Sequence, residues 1–463
     1  MEYLNSIPQV LGLPAAEQNI LTSLWKEYTL RRSRNFTKER YYEGKVTIGE
    51  VNLGIAIPKQ FKEFEVGCAW GAKAVDVLAA RSMFDGFVDE SGVESEELSK
   101  FVSDNNMLAE YAKACRDELK IGCSFATLSS DDVIGCKVRF HSANTACAHW
   151  NGDKGRIDYG FAVIDSTTQN GYCEPTKINL YTDDAIWVLV NVNGVWRAEY
   201  HPHRMGRPLM EALVWNATST KPFGRSRLKE PVRRLIDGYV RTVANATLGL
   251  EFSTAPQKYL LGVTDDQYDA VVNQKFKQYI GSIIAATTNP DTGEKPTFGQ
   301  LQQGNISPHV EMMRLLATQF SAATGLTVTD TGVVNDANPT SSDAILAQSQ
   351  TLVRMAEELN AVNGNALRNI ALMALAIINQ TTIEDLDESK KNVIAHFKNP
   401  AMPSVAVTAD AAIKIASARE SFAQTDTFLE MIGFSQADIR RIRAQEQRAR
   451  GLSILSELES EAE

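Results

Sequence analysis

At 463 residues the chain exceeds one ordinary hydrophobic core, so two or more packed regions are expected. Hydrophobic residues are 44% and charged residues 22%, a globular balance that excludes broad disorder, and no stretch approaches the roughly 20 consecutive apolar residues of a bilayer span. The formal charge of −10 argues against a protein that coats nucleic acid, because tight phosphate binding draws on clustered Lys and Arg.

Residues Met1 to Pro14 lack a basic region ahead of an apolar core, so a cytoplasmic site of synthesis is expected. Gln18 to Tyr42 reads as a helix from the spacing of Leu21, Leu24, Trp25 and Tyr28, and its basic run Arg31, Arg32, Arg34, Lys38 and Arg40 reads as a solvated helix end. Residues 66–85 predict a second helix and Glu96 to Leu119 a third. The cysteines at 68, 115, 123, 136, 147 and 173 have neither Cys-x-x-Cys spacing nor the density of a secreted scaffold, and are read as reduced core residues.

From Ser124 to Leu213 the pattern becomes β: Lys137 to His141, Ile157 to Ile164, Lys177 to Tyr181, Ala185 to Val192 and Val195 to Tyr200 alternate with turn residues. Asn193-Gly194 marks a hairpin, since both positions of that turn favour a left-handed backbone.

Pro222-Phe223-Gly224-Arg225-Ser226 then punctuates the chain, with Ser226 as a predicted N-cap. Behind it Leu228, Val232, Leu235, Tyr239, Val243 and Ala246 recur at helical spacing, beside a charged stripe of Arg227, Glu230, Arg234, Asp237 and Arg241. That stripe fits a solvated face or a contact between neighbouring copies. Thr254 to Ile306 is an excursion with a short helix around Asp266 to Ile280 and a turn at Asn289 to Gly293. Ser307 as cap and Pro308 at the first position open a helix through Met313, Leu316 and Phe320 to a stop at Gly325. Two helices flanking one excursion are expected to lie antiparallel.

Leu326 to Pro339 reads by composition as a surface loop. Thr340 and Asp343 have capping-box spacing, opening a helix with Ile345, Ser349, Leu352, Ala356 and Leu359 in heptad-like rhythm. Asn363-Gly364 is expected to kink or break it, and Leu367 to Ile378, apolar on nearly every face, should be buried. Helices over Ala409 to Ile432 and from Ser435, with Asp438 completing a capping box, follow. The last carries Arg440, Arg441, Arg443, Arg448 and Arg450 before an acidic tail at Glu457, Glu459, Glu461 and Glu463.

Phosphate-loop, nucleophile-elbow, zincin and dinucleotide signatures are missing from the sequence. Cys136, His141, Cys147 and His149 are four potential zinc ligands without compact-site spacing. Asp131-Asp132, Asp183-Asp184 and Asp265-Asp266 fit either Mg²⁺ chemistry or turns and caps, and His201-Pro202-His203 reads as a turn.

Tyr41-Tyr42-Glu43-Gly44-Lys45, Ile57-Pro58, Trp70 with Lys73-Ala74-Val75-Asp76 and Leu78, Phe84-Asp85-Gly86-Phe87, the 222–226 motif, Ala255-Pro256-Gln257-Lys258, Gly325-Leu326 and Asn338 to Ile345 occur in an order that resembles the portal proteins of tailed bacteriophages, in the branch typical of long-tailed phages. The resemblance implies an α+β portal-type fold with helical stem, mixed α/β wing, small clip and α-helical crown, assembled as a ring, most simply a dodecamer. It divides the chain into N-terminal helices and wing (1–220), stem helix (221–253), clip (254–306), second stem helix (307–325), tunnel loop (326–340), long kinked helix (341–400) and crown (401–463). It implies stem contacts between subunits at Arg227, Glu230, Arg234, Asp237 and Arg241. The tunnel loop would place Thr327, Thr329, Asp330, Thr331, Asn335, Asp336 and Asn338 at the DNA channel, and the clip would dock terminase or adaptor through Asp291, Thr292, Glu294 and Lys295.

A portal would sit at one vertex of the virion capsid after assembly in the host cytoplasm. Its partners would be other copies of itself, the major capsid protein, scaffolding protein, the terminase large subunit, a head-tail adaptor and double-stranded DNA passing through without sequence preference. No membrane, metal, cofactor or catalytic residue is implied, and an acidic or neutral lining suits passage of DNA better than a basic one. The alternatives are a metal-dependent nuclease or hydrolase built on the Asp pairs and histidines of the β region, and a head-tail adaptor without a channel.

Overall fold

A computed structural model describes residues 9–46, 66–89, 92–93, 95–169, 172–254, 258–261, 293, 295, 297–300, 305–332, 342–401, 405–434 and 436–461. The chain is mixed α+β, with most of its described buried apolar residues in two clusters.

The smaller cluster joins helix α1 (Ala15–Tyr42) to an antiparallel five-stranded sheet. That sheet runs in sequence order: β4 (Ala146–Asn151), β5 (Arg156–Gln169), β6 (Tyr172–Tyr181), β7 (Ala185–Val192) and β8 (Val195–Pro202). Leu21, Leu24, Trp25 and Tyr28 form one helical face and are buried against Phe161, Ile178, Leu180, Leu189 and Trp196. Trp25, Tyr28 and Phe161 meet with ring centroids 5.2–5.5 Å apart, and full burial of one such side chain is worth about 1.5–3 kcal/mol. The β7–β8 turn is the expected one: Val192 pairs with Val195, and Asn193 (φ 52) and Gly194 (φ 84) are left-handed.

The larger cluster draws on most elements between Tyr41 and Phe397. Helix α2 (Trp70–Ala79) is shorter than the expected 66–85, and Phe84 instead opens strand β1 (Phe84–Asp89), antiparallel to β12 (Val393–Phe397). The single helix expected over 96–119 is two, α3 (Glu96–Asp104) and α4 (Met107–Ile121), separated at Asn106, which is left-handed with φ 50. The break has a physical cause. The Asn105 side chain donates to the Cys136 carbonyl and accepts the Val138 amide, so it is committed to the neighbouring strand.

That strand, β3 (Gly135–Ser142), flanks β2 (Cys123–Asp131), whose other neighbour is β9 (Met210–Val214). Cys123 to Leu128 are buried at six successive positions, as befits a central strand. The five described cysteines, 68, 115, 123, 136 and 147, are free and buried, as expected of core residues.

Helix α5 (Glu230–Thr254) and helix α6 (Ser307–Thr324) pack side by side. Beyond them, β10 (Lys258–Leu261) pairs antiparallel with β11 (Thr297–Gln300). Helix α7 (Ser342–Ile378) runs unbroken through Asn363-Gly364, where a kink or break was expected, and Leu367 and Ile370 to Leu375 are buried as anticipated. Its Ser349–Ile378 portion has the length and hydropathy (1.4) of a membrane span, which the sequence reading did not anticipate, but 56% of that window is buried inside the chain. The length-and-composition test is met equally by the core helix of a soluble protein.

After the short α8 (Glu388–Lys391), the helix expected from Ala409 to Ile432 is two, α9 (Val405–Ala418) and α10 (Asp426–Ile432), followed by α11 (Gln436–Glu461). Thr425 caps α10, its hydroxyl accepting the Phe428 amide. Ile57-Pro58, the helix candidate over 266–280, most of the 289–293 turn, Thr340 and Ser435 lie outside the described residues.

Candidate assembly and channel region

The 222–226 motif does not begin a helix. Gly224 adopts φ +65, and a Cβ there would collide with the Trp215 carbonyl, so only glycine passes this point. Arg225 donates its amide to the Trp215 carbonyl (2.9 Å), and Phe223 meets Phe125 edge to face at 5.7 Å. Ser226 is a tie rather than the N-cap of α5: its hydroxyl accepts the Leu228 amide and donates to the Lys120 carbonyl, four residues before the helix starts.

Arg227 departs most from the expected intersubunit stripe. It is 6% exposed, inside the protomer, with Nε donating to the Ala74 carbonyl and Nη2 to the Thr324 carbonyl at 2.6 Å. Burial holds its guanidinium down to about 10. A side chain so enclosed has no face for a neighbouring subunit. The Thr324 bond also sets direction, because the approach to α5 meets the last turn of α6 while β10 pairs with β11 at the other end. The two helices are therefore antiparallel, and α5 alone spans about 37 Å.

Along α5, Val232, Ile236, Val240 and Ala244 are buried at four-residue spacing, with Leu316 of α6 opposite Gly238. Trp70 of α2 lies between Tyr239 of α5 (4.2 Å) and Phe320 of α6 (4.8 Å). Of the other stripe residues, Asp237 accepts from the Tyr41 hydroxyl at 2.6 Å, Arg241 is half-buried, and only Glu230 and Arg234 point freely outward, paired at 3.3 Å. An exposed pair of that kind contributes about 0.3–0.5 kcal/mol.

Gly325 ends α6 in the left-handed conformation, φ 72, as expected. Asn305 rather than Ser307 serves the other end, accepting the Ser307 amide. The next residues are folded in. Thr327 donates amide and hydroxyl to the Asp330 carboxylate, Thr329–Thr331 makes one 3₁₀ turn, and the buried Thr331 accepts the Trp70 indole proton at 3.1 Å. The first part of the expected tunnel loop is thus a packed turn, with Thr329 exposed; Asn335, Asp336 and Asn338 lie outside the described residues. Of the clip residues Lys295 is exposed, while Asp291, Thr292 and Glu294 also lie outside them.

The possible metal ligands are engaged otherwise. His141 Nε2 lies 2.9 Å from the Thr127 hydroxyl and burial holds it down to about 4, while His149 stacks on Tyr159 at 4.9 Å. Burial pushes the Cys136 and Cys147 thiols up to about 12, away from the thiolate a metal needs. Asp131 caps a turn through the Val133 and Ile134 amides, Asp183 pairs with Lys154, and Asp184 accepts from Thr182. Among the described residues no three His, Cys, Asp or Glu side chains gather around a common point.

The profile of the family described as "Phage portal protein, SPP1 Gp6-like" matches residues 21–451. The chain belongs to that family of phage portal proteins. No curated protein matches it. One solved structure, "Neck of native GTA particle computed with C12 symmetry", is similar over 80% of this chain and 90% of its own at 9% identity, with a TM-score of 0.43.

Trp70, Tyr239 and Phe320 escaped the sequence reading as a unit, because their contact joins three distant segments. So did Glu118, fully buried on α4, which accepts from the Asn363 side chain at 2.8 Å while Asn363 also donates to the Tyr111 hydroxyl. Burial pushes the Glu118 carboxyl up to about 8. The only sequence signal for it was an acidic residue on the apolar face of an amphipathic helix.

Proposed function

We propose that copies of this portal protein close into a ring, a dodecamer as the family implies, with the α5–α6 hairpins lining a channel for double-stranded DNA at one capsid vertex. In this reading the ring serves packaging with the terminase large subunit, retains the genome, joins head to tail through an adaptor and passes DNA on ejection. Scaffolding and major capsid proteins would hold it at the vertex. Its role is structural and not catalytic.

The observation that carries the reading is the hairpin itself. It is anchored rigidly at its root by Arg227 and Trp70, yet Val310, Met312 and Leu315 of α6 and Leu250 of α5 are 37–51% exposed on a single copy. Apolar side chains grouped on a protruding rod fit burial by neighbouring rods.

Native mass spectrometry and negative-stain imaging of the purified chain test this. Closed rings with a central hole wide enough for a duplex are expected. A monomer or dimer under every assembly condition would overturn the reading, and rings without a lumen would favour a non-channel adaptor. Removing residues 333–337, beyond the packed 3₁₀ turn, should leave rings intact and lower DNA retention in packaged particles. Normal retention would remove that segment from the constriction.

A further inference from the structure

Between the second half of α1 and the chain leading into α5 lies a cleft of about 710 Å³. Arg31, Arg34 and Lys38 line it from α1, and Lys221, Arg225, Lys229 and Arg233 from the other wall. Its two carboxylates are already engaged, Glu27 with Arg31 and Glu230 with Arg234. Arg34, Lys221, Arg225 and Lys229 are exposed and have no acidic partner among the described residues. Lys38 is held down to about 8, chiefly by burial; Cys123 opposes the shift, and the guanidinium groups of Arg233, Arg34 and Arg31 around it add to it. In a chain of formal charge −10, such crowding of unmatched cations calls for an anionic occupant.

The same chain carries the complement. Strand β2 begins at Cys123 in the cleft and ends at Asp131, about 26 Å away at 3.3 Å per residue. At that far end stand Asp131 and Asp132 of the β2–β3 turn. Gly135, in the same hairpin, lies beside Ile378 at the end of α7, where the chain continues into Glu384, Asp385 and Asp387. Glu97 of α3 ties the group together through Lys390 (2.8 Å) and Asn379, bringing the exposed Glu96 alongside.

We propose that the basic cleft of one copy receives the acidic end of β2 and its surroundings from the next copy, a head-to-tail contact repeated around the ring. This rests on the ring reading above. A head-to-tail interface needs two unlike, complementary surfaces on one chain, and a closed ring follows when the rotation between copies closes. A nucleic-acid strand is the less favoured occupant, because a polyanion lying along the molecule would leave the cleft and meet the acidic end. Opposite charges displayed at the two ends of one strand suit another copy of the same chain.

Charge exchange on the full-length protein tests the pairing. Arg34→Glu with Lys229→Glu in the cleft, or Glu384→Lys with Asp387→Lys at the acidic end, should each lower the ring fraction at low salt at least tenfold, with circular dichroism and melting temperature unchanged. Combining all four substitutions should restore rings, a result that simple misfolding cannot produce. Loss of rings without rescue in the combined variant would overturn the proposal, as would cleft variants that assemble normally but lose retention of a short DNA duplex. Rings unaffected by either pair would overturn this contact and leave the ring reading standing, whereas a wild-type chain that never forms rings would overturn both.

Discussion

The root and the shaft of the α5–α6 hairpin are held in opposite ways. At the root a buried guanidinium bonds two carbonyls from different elements, an indole lies between two rings, and a glycine passes where no Cβ fits. On the outward surface of the hairpin the charged pair Glu230–Arg234 is exposed in the first turns of α5, and toward the far end several apolar side chains are uncovered. A folded chain satisfies its own buried groups, because an unpaired one costs about 1–3 kcal/mol, whereas a surface awaiting neighbours need not be satisfied from within. The contrast separates the part of the hairpin that the chain completes alone from the part that neighbouring copies would cover under the proposed function.

The contrast breaks most sharply at the root. Trp70→Ala should cost about 3–5 kcal/mol by opening a cavity against Tyr239 and Phe320, and Arg227→Met about 2–4 kcal/mol by removing the buried guanidinium that bonds the Ala74 and Thr324 carbonyls. Both are measurable by denaturant unfolding of the unassembled chain. Losses under 1 kcal/mol would show that the root is not over-determined.

Glu118 sharpens the comparison through pH. Its carboxyl is held up to about 8 in the folded chain, so between the ordinary carboxylate range and pH 8 the folded state keeps a proton that the unfolded state has released. Stability contributed by this site should therefore fall as pH rises through that window, by on the order of 1.4 kcal/mol per pH unit. Glu118→Gln should flatten that dependence and gain relative stability at alkaline pH; identical pH profiles for variant and parent would refute the assignment. The smallest effect is expected at the exposed Glu230–Arg234 pair. Arg234→Ala should change unassembled stability by less than about 0.5 kcal/mol, and any larger loss confined to ring formation would mark it as a contact between copies.

Local signals in the sequence were legible where the backbone itself is decisive. Asn193-Gly194 and Gly325 announced their turns because few residues tolerate left-handed φ. Helix faces such as Leu21, Leu24, Trp25 and Tyr28 were readable from their period. What was missed depends on distant partners. The break at Asn106 arises from Asn105 bonding β3 more than thirty residues away, and the apolar spacing continues across it undisturbed. Strand β2 lacks alternation because it is the middle strand of its sheet. Arg227 looked like one charge in a solvated stripe, since its burial is set by α2 and α6, and the cations on α1 looked like a wetted helix end until the 221–233 segment faced them.

Helix α1 has a mechanical consequence. Its first half is wedged on the five-stranded sheet, and its final turn holds α5 through the short bond from Tyr41 to Asp237. A 28-residue helix is stiff over its length of about 42 Å, so a load on the five-stranded sheet would reach the base of the hairpin as the tilt of one strut. Such a strut would couple the sheet to the hairpin, with the Tyr41 hydroxyl as its fulcrum.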